Sequence, residues 1–203
     1  MKSVRLLAVL SFVLCCAGCD VLTNAQLPVI HDDRIVGEWK PVPKAGEEHQ
    51  SERLIVKRAG EDYLSGDADD FARNKASRFT LSKVGRLVLV QSQEGVGGPC
   101  EPFGKKSEMC RTLYGAIEIG PDQVVIHPFD SSRLLQDSLG GALKIPHQIR
   151  RSGSSNGKGD NAVFFDTDAK QLQSFVESYL PAHPMVFARS LAKTYHRIPL
   201  SKQ

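Results

Sequence analysis

The residues of this chain that could do chemistry are its thiols, its histidines and a few short Gly/Ser and Asp runs. Three of the five cysteines, Cys15, Cys16 and Cys19, crowd together where an apolar stretch stops at Asp20. A thiol in that position is a site for covalent modification. The other two, Cys100 and Cys110, form an even pair. In an oxidising compartment such a pair is expected to be bonded, and the short loop it closes would contribute roughly 2–3 kcal/mol. No second cysteine pair or nearby histidine completes a four-ligand zinc set. The six histidines, His31, His49, His127, His147, His183 and His196, are scattered, and only His127 and His147 could meet across strands.

Three short strings match known chemistry in letters but not in context. Gly153-Ser154-Ser155-Asn156-Gly157 has the spacing of a hydrolase serine, which needs a sharp strand-to-helix elbow. Here it lies in the polar stretch RSGSSNGKGDN, followed by a strand, so a hairpin loop is expected. Gly104-Lys105-Lys106-Ser107 has a second lysine where a phosphate loop needs its hydroxyl, and Pro99 and Pro102 remove backbone donors. Asp67, Asp69 and Asp70 lack the glycine and distal glutamate of a calcium loop. No catalytic residue, metal or cofactor is assigned from these.

The leader is more informative. Lys2 and Arg5 are followed by a run from Leu6 to Gly18 that is apolar or small apart from Ser11. It is shorter than the roughly 20 residues a membrane span needs, and it suits a secretory signal. Cys16-Ala17-Gly18-Cys19 resembles the lipobox of bacterial lipoproteins. The resemblance implies that residues 1–18 are removed and that Cys19 becomes an acylated first residue carrying palmitate-type chains. It implies a cell-membrane location facing the periplasm, and Asp20 favours the inner membrane over the outer. Several acyl chains make such an anchor effectively permanent, because each buried methylene contributes about 0.8 kcal/mol.

The rest of the chain is long enough for one domain with its own core. The full sequence has 26 basic and 23 acidic residues and a net charge of +3, and loss of Lys2 and Arg5 with the leader brings this closer to zero. That balance argues against general nucleic-acid affinity.

Residues 19–33 lack periodicity and read as a flexible tether. From Arg34 the pattern turns to short strands: around Trp39, at Leu54–Lys57, Phe79–Leu81, Leu87–Val90, Thr112–Ile119, Val124–Ile126, Lys144–Arg150 and Ala162–Phe165. Turn signals such as Val84-Gly85 and Gly120-Pro121-Asp122 link them, which argues for an antiparallel barrel or sandwich. Two helices interrupt the strands. One spans Ser131–Leu139. The other, capped by Asp166 or Thr167 and stopped by Pro181, carries Leu172, Phe175, Val176, Tyr179 and Leu180 as one stripe. It is expected to cover Val88 and Val90 from outside, because the strand Leu87–Val90 is apolar on both faces. Residues 188–203 read as a basic amphipathic tail, with Phe187, Leu191, Tyr195 and Ile198 opposite Arg189, Lys193 and Arg197.

Gly37-Glu38-Trp39 resembles the G-x-W of lipocalin-like barrels, in which the tryptophan plugs the closed end. The combination of a lipobox, Val36-Gly37-Glu38-Trp39, a run such as Gly60–Tyr63, a helix like Lys170–Leu180 and the stop Val186-Phe187 is similar to a broad set of uncharacterised bacterial lipoproteins. The expected architecture is mainly β: one antiparallel lipocalin-like barrel of eight or nine strands over residues 34–187, with a C-terminal amphipathic helix on its outer wall.

Two functions fit that architecture. One is a tethered protein holding a small apolar ligand, with Leu54, Val56, Leu87, Leu89, Leu113 and Ile117 lining the cavity and Trp39 closing its base. The other is a non-enzymatic interaction or accessory protein with a filled core, engaging an envelope protein through outer loops that include Cys100–Cys110. The first needs an interior of about 300 Å³ or more. An enzyme, the third reading, has no motif behind it.

Overall fold

The computed structural model describes residues 21–43, 53–93, 111–151, 161–188 and 191–199. Two short strands come first, β1 (Val21–Thr23) and β2 (Val29–Ile30). Seven more follow as an antiparallel meander: β3 (Gly37–Pro41), β4 (Leu54–Ala59), β5 (Asp62–Gly66), β6 (Ser77–Val84), β7 (Leu87–Gln93), β8 (Arg111–Ile119) and β9 (Gln123–Pro128). A short helix, α1 (Ala68–Ala72), lies between β5 and β6. After β9 the chain leaves the meander through α2 (Ser131–Leu139), β10 (His147–Arg151), β11 (Asn161–Phe165) and α3 (Ala169–Ala182). It returns as β12 (Lys193–Arg197), which pairs with β3 on one side and β9 on the other. Strands β3–β9 and β12 therefore form a closed eight-stranded antiparallel barrel, with β1, β2, β10 and β11 outside that ring.

β12 corrects the expectation for residues 188–203. The helical spacing of Phe187, Leu191 and Tyr195 is real, but β3 and β9 would otherwise present two unpaired edges, and pairing both outweighs a local preference. Residues 19–33 also depart from expectation. From Val21 onward they are not a tether: Val21, Leu22, Thr23, Ala25 and Leu27 are buried. β1 pairs in parallel with β11 and antiparallel with β8, while β2 pairs with β6. The linker between β1 and β2 has no strand partner. The fully buried side chain of Gln91 supplies one, its Oε1 accepting from the Leu27 amide at 3.2 Å and its Nε2 donating to the Ala25 carbonyl at 2.8 Å. A side chain acting as a backbone surrogate leaves no periodic signal in the sequence.

Two apolar cores result, one on each side of the barrel wall. Inside lie Trp39, Val56, Tyr63, Phe79, Leu81, Val90, Ile117, Val124, Ile126 and Tyr195. Outside, the α3 stripe of Leu172, Phe175, Val176, Tyr179 and Leu180 packs with Val84, Leu89, Leu113 and Ala116 of the wall and with Val21, Val163 and Phe165 of the added strands. The α3 N-cap is Asp168, whose carboxylate accepts from the Gln171 amide, and the helix runs one residue past Pro181. Asp67, in the expected acidic loop, caps α1 through a reciprocal pair with Asp70.

The expected assignment of faces on β7 is reversed. Leu87 and Leu89 pack in the outer core under α3, and Val88 and Val90 belong to the inner one. Where both faces are apolar, alternation does not say which face is in.

On β8 a bulge does the work. Val90 pairs with Gly115 but Gln91 pairs with Leu113, so Tyr114 is an extra residue. Leu113 consequently faces the outer core while Ile117, four residues on, faces the inner one. Gly115 has φ of 150°, and a Cβ there would lie 2.0 Å from the His127 carbonyl oxygen. Gly115→Ala is expected to lower stability by about 3 kcal/mol, read from the urea midpoint. Gln91→Leu, which orphans a buried amide and a buried carbonyl, should cost about 2 kcal/mol in the same measurement.

Candidate functional site

The barrel interior is the first place to look for a ligand. Trp39 fills its base, fully buried, with its indole N–H donating to the Ile35 carbonyl at 2.8 Å. Arg197 of β12 lies across the outside of that indole, its guanidinium carbon 4.3 Å from the ring centroid. Its Nη1 donates to the Val36 carbonyl and its Nε to the Pro121 carbonyl, each at 3.0 Å, and Nη2 donates to the Arg34 carbonyl. Gly37 explains itself here, because a Cβ at that position would meet Arg197 Nη1 at 2.7 Å.

Above Trp39, the side chains of Ile35, Leu54, Val56, Phe79, Val90, Ile117, Val124, Ile126 and Tyr195 leave a void of only about 10 Å³. That is room for about one water molecule. A ligand pocket is typically about 300–1,000 Å³.

Of the residues expected to line a cavity, Trp39, Leu54, Val56 and Ile117 do face this interior. Leu89 and Leu113 are buried in the outer core, with Leu87 packed against it. The inward positions that were missed are Phe79, Val90, Val124, Ile126 and Tyr195. Their alternation along β6, β7, β9 and β12 is the signal that could have found them.

Among the described residues a much larger concavity lies outside the barrel. A groove of about 1210 Å³ runs between the C-terminal half of α3 and the wall formed by the β6–β7 hairpin, β8 and β9. Val176, Leu180 and Pro181 form its helical side, and the outward-facing Val84, Leu87 and Ala116 its sheet side, with the inward-facing Val88 and Ile117 also bordering it. Pro184 and Phe187, which follow α3, close one part, where Phe187 stacks on Phe129 at 5.2 Å between centroids. The ionisable lining residues are Arg86, Glu118, His127 and Glu177. Three of these four are engaged locally: His127 Nε2 lies 3.0 Å from Glu118 Oε1, and Gln173 Nε2 donates to Glu177 at 3.1 Å.

The chain matches no family model, no curated protein and no solved structure. Its functional residues therefore rest on geometry alone.

Among the described histidines, His127 and His147 do not meet. His147 instead faces Ser138, with Oγ 2.7 Å from Nε2, while Nδ1 lies 2.7 Å from the Ile145 carbonyl oxygen. A carbonyl only accepts, so Nδ1 carries the proton, and in the neutral ring Nε2 accepts from the serine hydroxyl. This is the local arrangement of a base-activated serine. Ser138 is buried, however, and neither residue lines the groove or the barrel interior. The pair ties the end of α2 to β10.

Nearby, Tyr179 donates to the Asp137 carboxylate, which also pairs with Arg133 at 3.3 Å. Burial and that carboxylate together hold the Tyr179 phenol well above its usual range. The described residues contain no group of three or more His, Cys, Asp or Glu side chains placed to hold a metal, and no helix long and apolar enough to cross a membrane. Cys19, Cys100, Cys110, His49 and the strings at 104–107 and 153–157 lie outside the described residues.

Tyr195 reports on the interior. Burial pushes its phenol up to about 12. Folding then favours the protonated form. The contribution is intact below pH 10, where the unfolded phenol titrates, and is lost as pH rises towards 12, at about 1.4 kcal/mol per unit. Wild-type protein should lose stability over that window faster than Tyr195→Phe, measured by chemical denaturation at each pH. A wet, open interior would give the two proteins the same slope.

Proposed function

We propose that this chain is a lipid-anchored protein of the bacterial envelope that acts by binding rather than by catalysis. In this reading the lipocalin-like barrel is a solid scaffold and the exterior makes the contacts. The observation that carries it is the contrast between a void of about 10 Å³ inside the barrel and a groove of about 1210 Å³ outside it. A filled interior removes the main motive for a small apolar ligand at Trp39, Leu54, Val56 and Ile117, and favours the interaction or accessory role.

The anchor in this reading is Cys19, with the domain facing the periplasm and Asp20 favouring the inner membrane. The packing of β1 changes what such an anchor means. Val21 is buried in the outer core, so only Asp20 separates the acylated residue from the fold. Two residues span at most about 7 Å. The domain would sit against its membrane instead of standing off it on a tether, and its partners would be those within reach of the lipid surface.

Cell fractionation with intact-mass measurement tests the anchor. The wild-type chain should partition with membranes at a mass raised by acyl groups, with residues 1–18 absent. Cys19→Ser should leave the membrane fraction and lose the added mass. A Cys19→Ser chain that stays with the bilayer would contradict the reading.

A further inference from the structure

We propose that the outer groove binds a phospholipid with a zwitterionic head, its phosphate on Arg86 and its ammonium on Glu177. The inference rests on the reading that the exterior of the barrel does the binding, and it names the ligand class. It does not depend on acylation of Cys19.

At about 1210 Å³ the groove exceeds the roughly 300–1,000 Å³ typical of a small-molecule site. Its walls are apolar. Leu87 and Phe187 are half-buried, and Pro181 and Pro184 are exposed. Behind them the buried Val84, Ala116, Val176 and Leu180 also line it. Apolar surface of this kind, open to water, gains by taking up a hydrocarbon chain.

Two opposite charges sit together at the hairpin end of the groove. Arg86 is exposed in the turn between β6 and β7. Glu177, exposed on α3, lies against the same turn, since a Cβ on Gly85 would be 3.9 Å from its Cγ. Among the described residues Arg86 has no ion-pair or hydrogen-bond partner. Glu177 accepts from a neutral amide, that of Gln173, which leaves its charge uncompensated. The third carboxylate of the lining, Glu118, is engaged by His127. Leu180, Pro181, Pro184 and Phe187 bring no charge to their part of the groove. One charged end and a long apolar remainder is the polarity of an amphiphile. An extended peptide would carry amide groups along its whole length, and these walls offer them no partners.

Complementarity selects the head. A guanidinium holds a phosphate through parallel N–H···O bonds, and a carboxylate accepts from an ammonium. A head with phosphate alone would place a like charge beside Glu177. A head with ammonium alone would place one beside Arg86. A head with both answers both residues, as in phosphatidylethanolamine.

The test titrates the full-length Cys19→Ser protein with dihexanoyl phosphatidylethanolamine below its micellar concentration. Calorimetry gives the affinity and methyl NMR the place, with shifts expected at Leu87, Val176 and Leu180. Dihexanoyl phosphatidylglycerol keeps the phosphate and lacks the ammonium, and should bind about tenfold more weakly. Glu177→Gln should close that gap to about twofold, and Arg86→Gln should weaken phosphatidylethanolamine about fivefold, both at the wild-type urea midpoint. Equal affinity of the wild type for the two lipids overturns the head assignment and with it the proposal, while exterior binding stands. Shifts confined to Val56, Val124 and Ile126 overturn both. Absence of binding overturns the proposal, and so does capture of a protein segment in place of lipid by a photo-crosslinking residue substituted for Ala192 in cells.

Discussion

The structure depends on the way β8 divides one of its edges. Its first residues, Arg111 and Thr112, pair with β1, and from Gly115 onward the same strand pairs with β9. Gly115 makes the handover possible because its backbone takes a positive φ and lies so close to His127 and Pro128 that no side chain fits. The bulge beside it turns the strand's apolar residues from one face to the other. Without that change of face, β8 could not serve a closed barrel at one end and an external sheet of β1, β11 and β10 at the other. The two cores meet at this strand, and so does the groove.

Among the described residues the barrel interior is closely packed. Eight strands give an interior that side chains can fill or that can hold one small ligand. Here large residues take the space: Trp39 at the base, then Phe79, Tyr63 and Tyr195 among branched aliphatics. Trp39 is held from both sides, by Ile35 within and by the Arg197 guanidinium without. Arg197 also satisfies three carbonyls at the end of the barrel, which joins the last strand to the segment before the first. The apolar surface left for a second molecule is on the other side of the wall, where α3 does not follow the β6–β7 hairpin closely enough to exclude one.

Much of this was legible in the residues. The α3 stripe, the α2 span and the short strands around Trp39, Val56, Phe79 and Val124 follow from local periodicity and turn signals. What was not legible is where distant parts of the chain supply the order. Residues 21–27 look unstructured because their partners are β8, β11 and the Gln91 carboxamide, all remote in sequence. The segment around Tyr195 has helical spacing but meets two open strand edges. Leu113 and Ile117 share a face in an unbroken strand and are parted by one bulge, while Leu87 and Val88 gave no local reason to prefer either face. The groove was not foreseeable from any one of its segments, since it is made by the distance between two layers.

The central claim is that the barrel interior is filled and that the open apolar surface lies on its outside. Methyl NMR of the Cys19→Ser protein, titrated with a spin-labelled stearate, addresses both halves at once. The account predicts paramagnetic broadening at Leu87, Val176 and Leu180, with Val56, Val124 and Ile126 unaffected. Broadening of the interior methyls with the α3 methyls left sharp would contradict it.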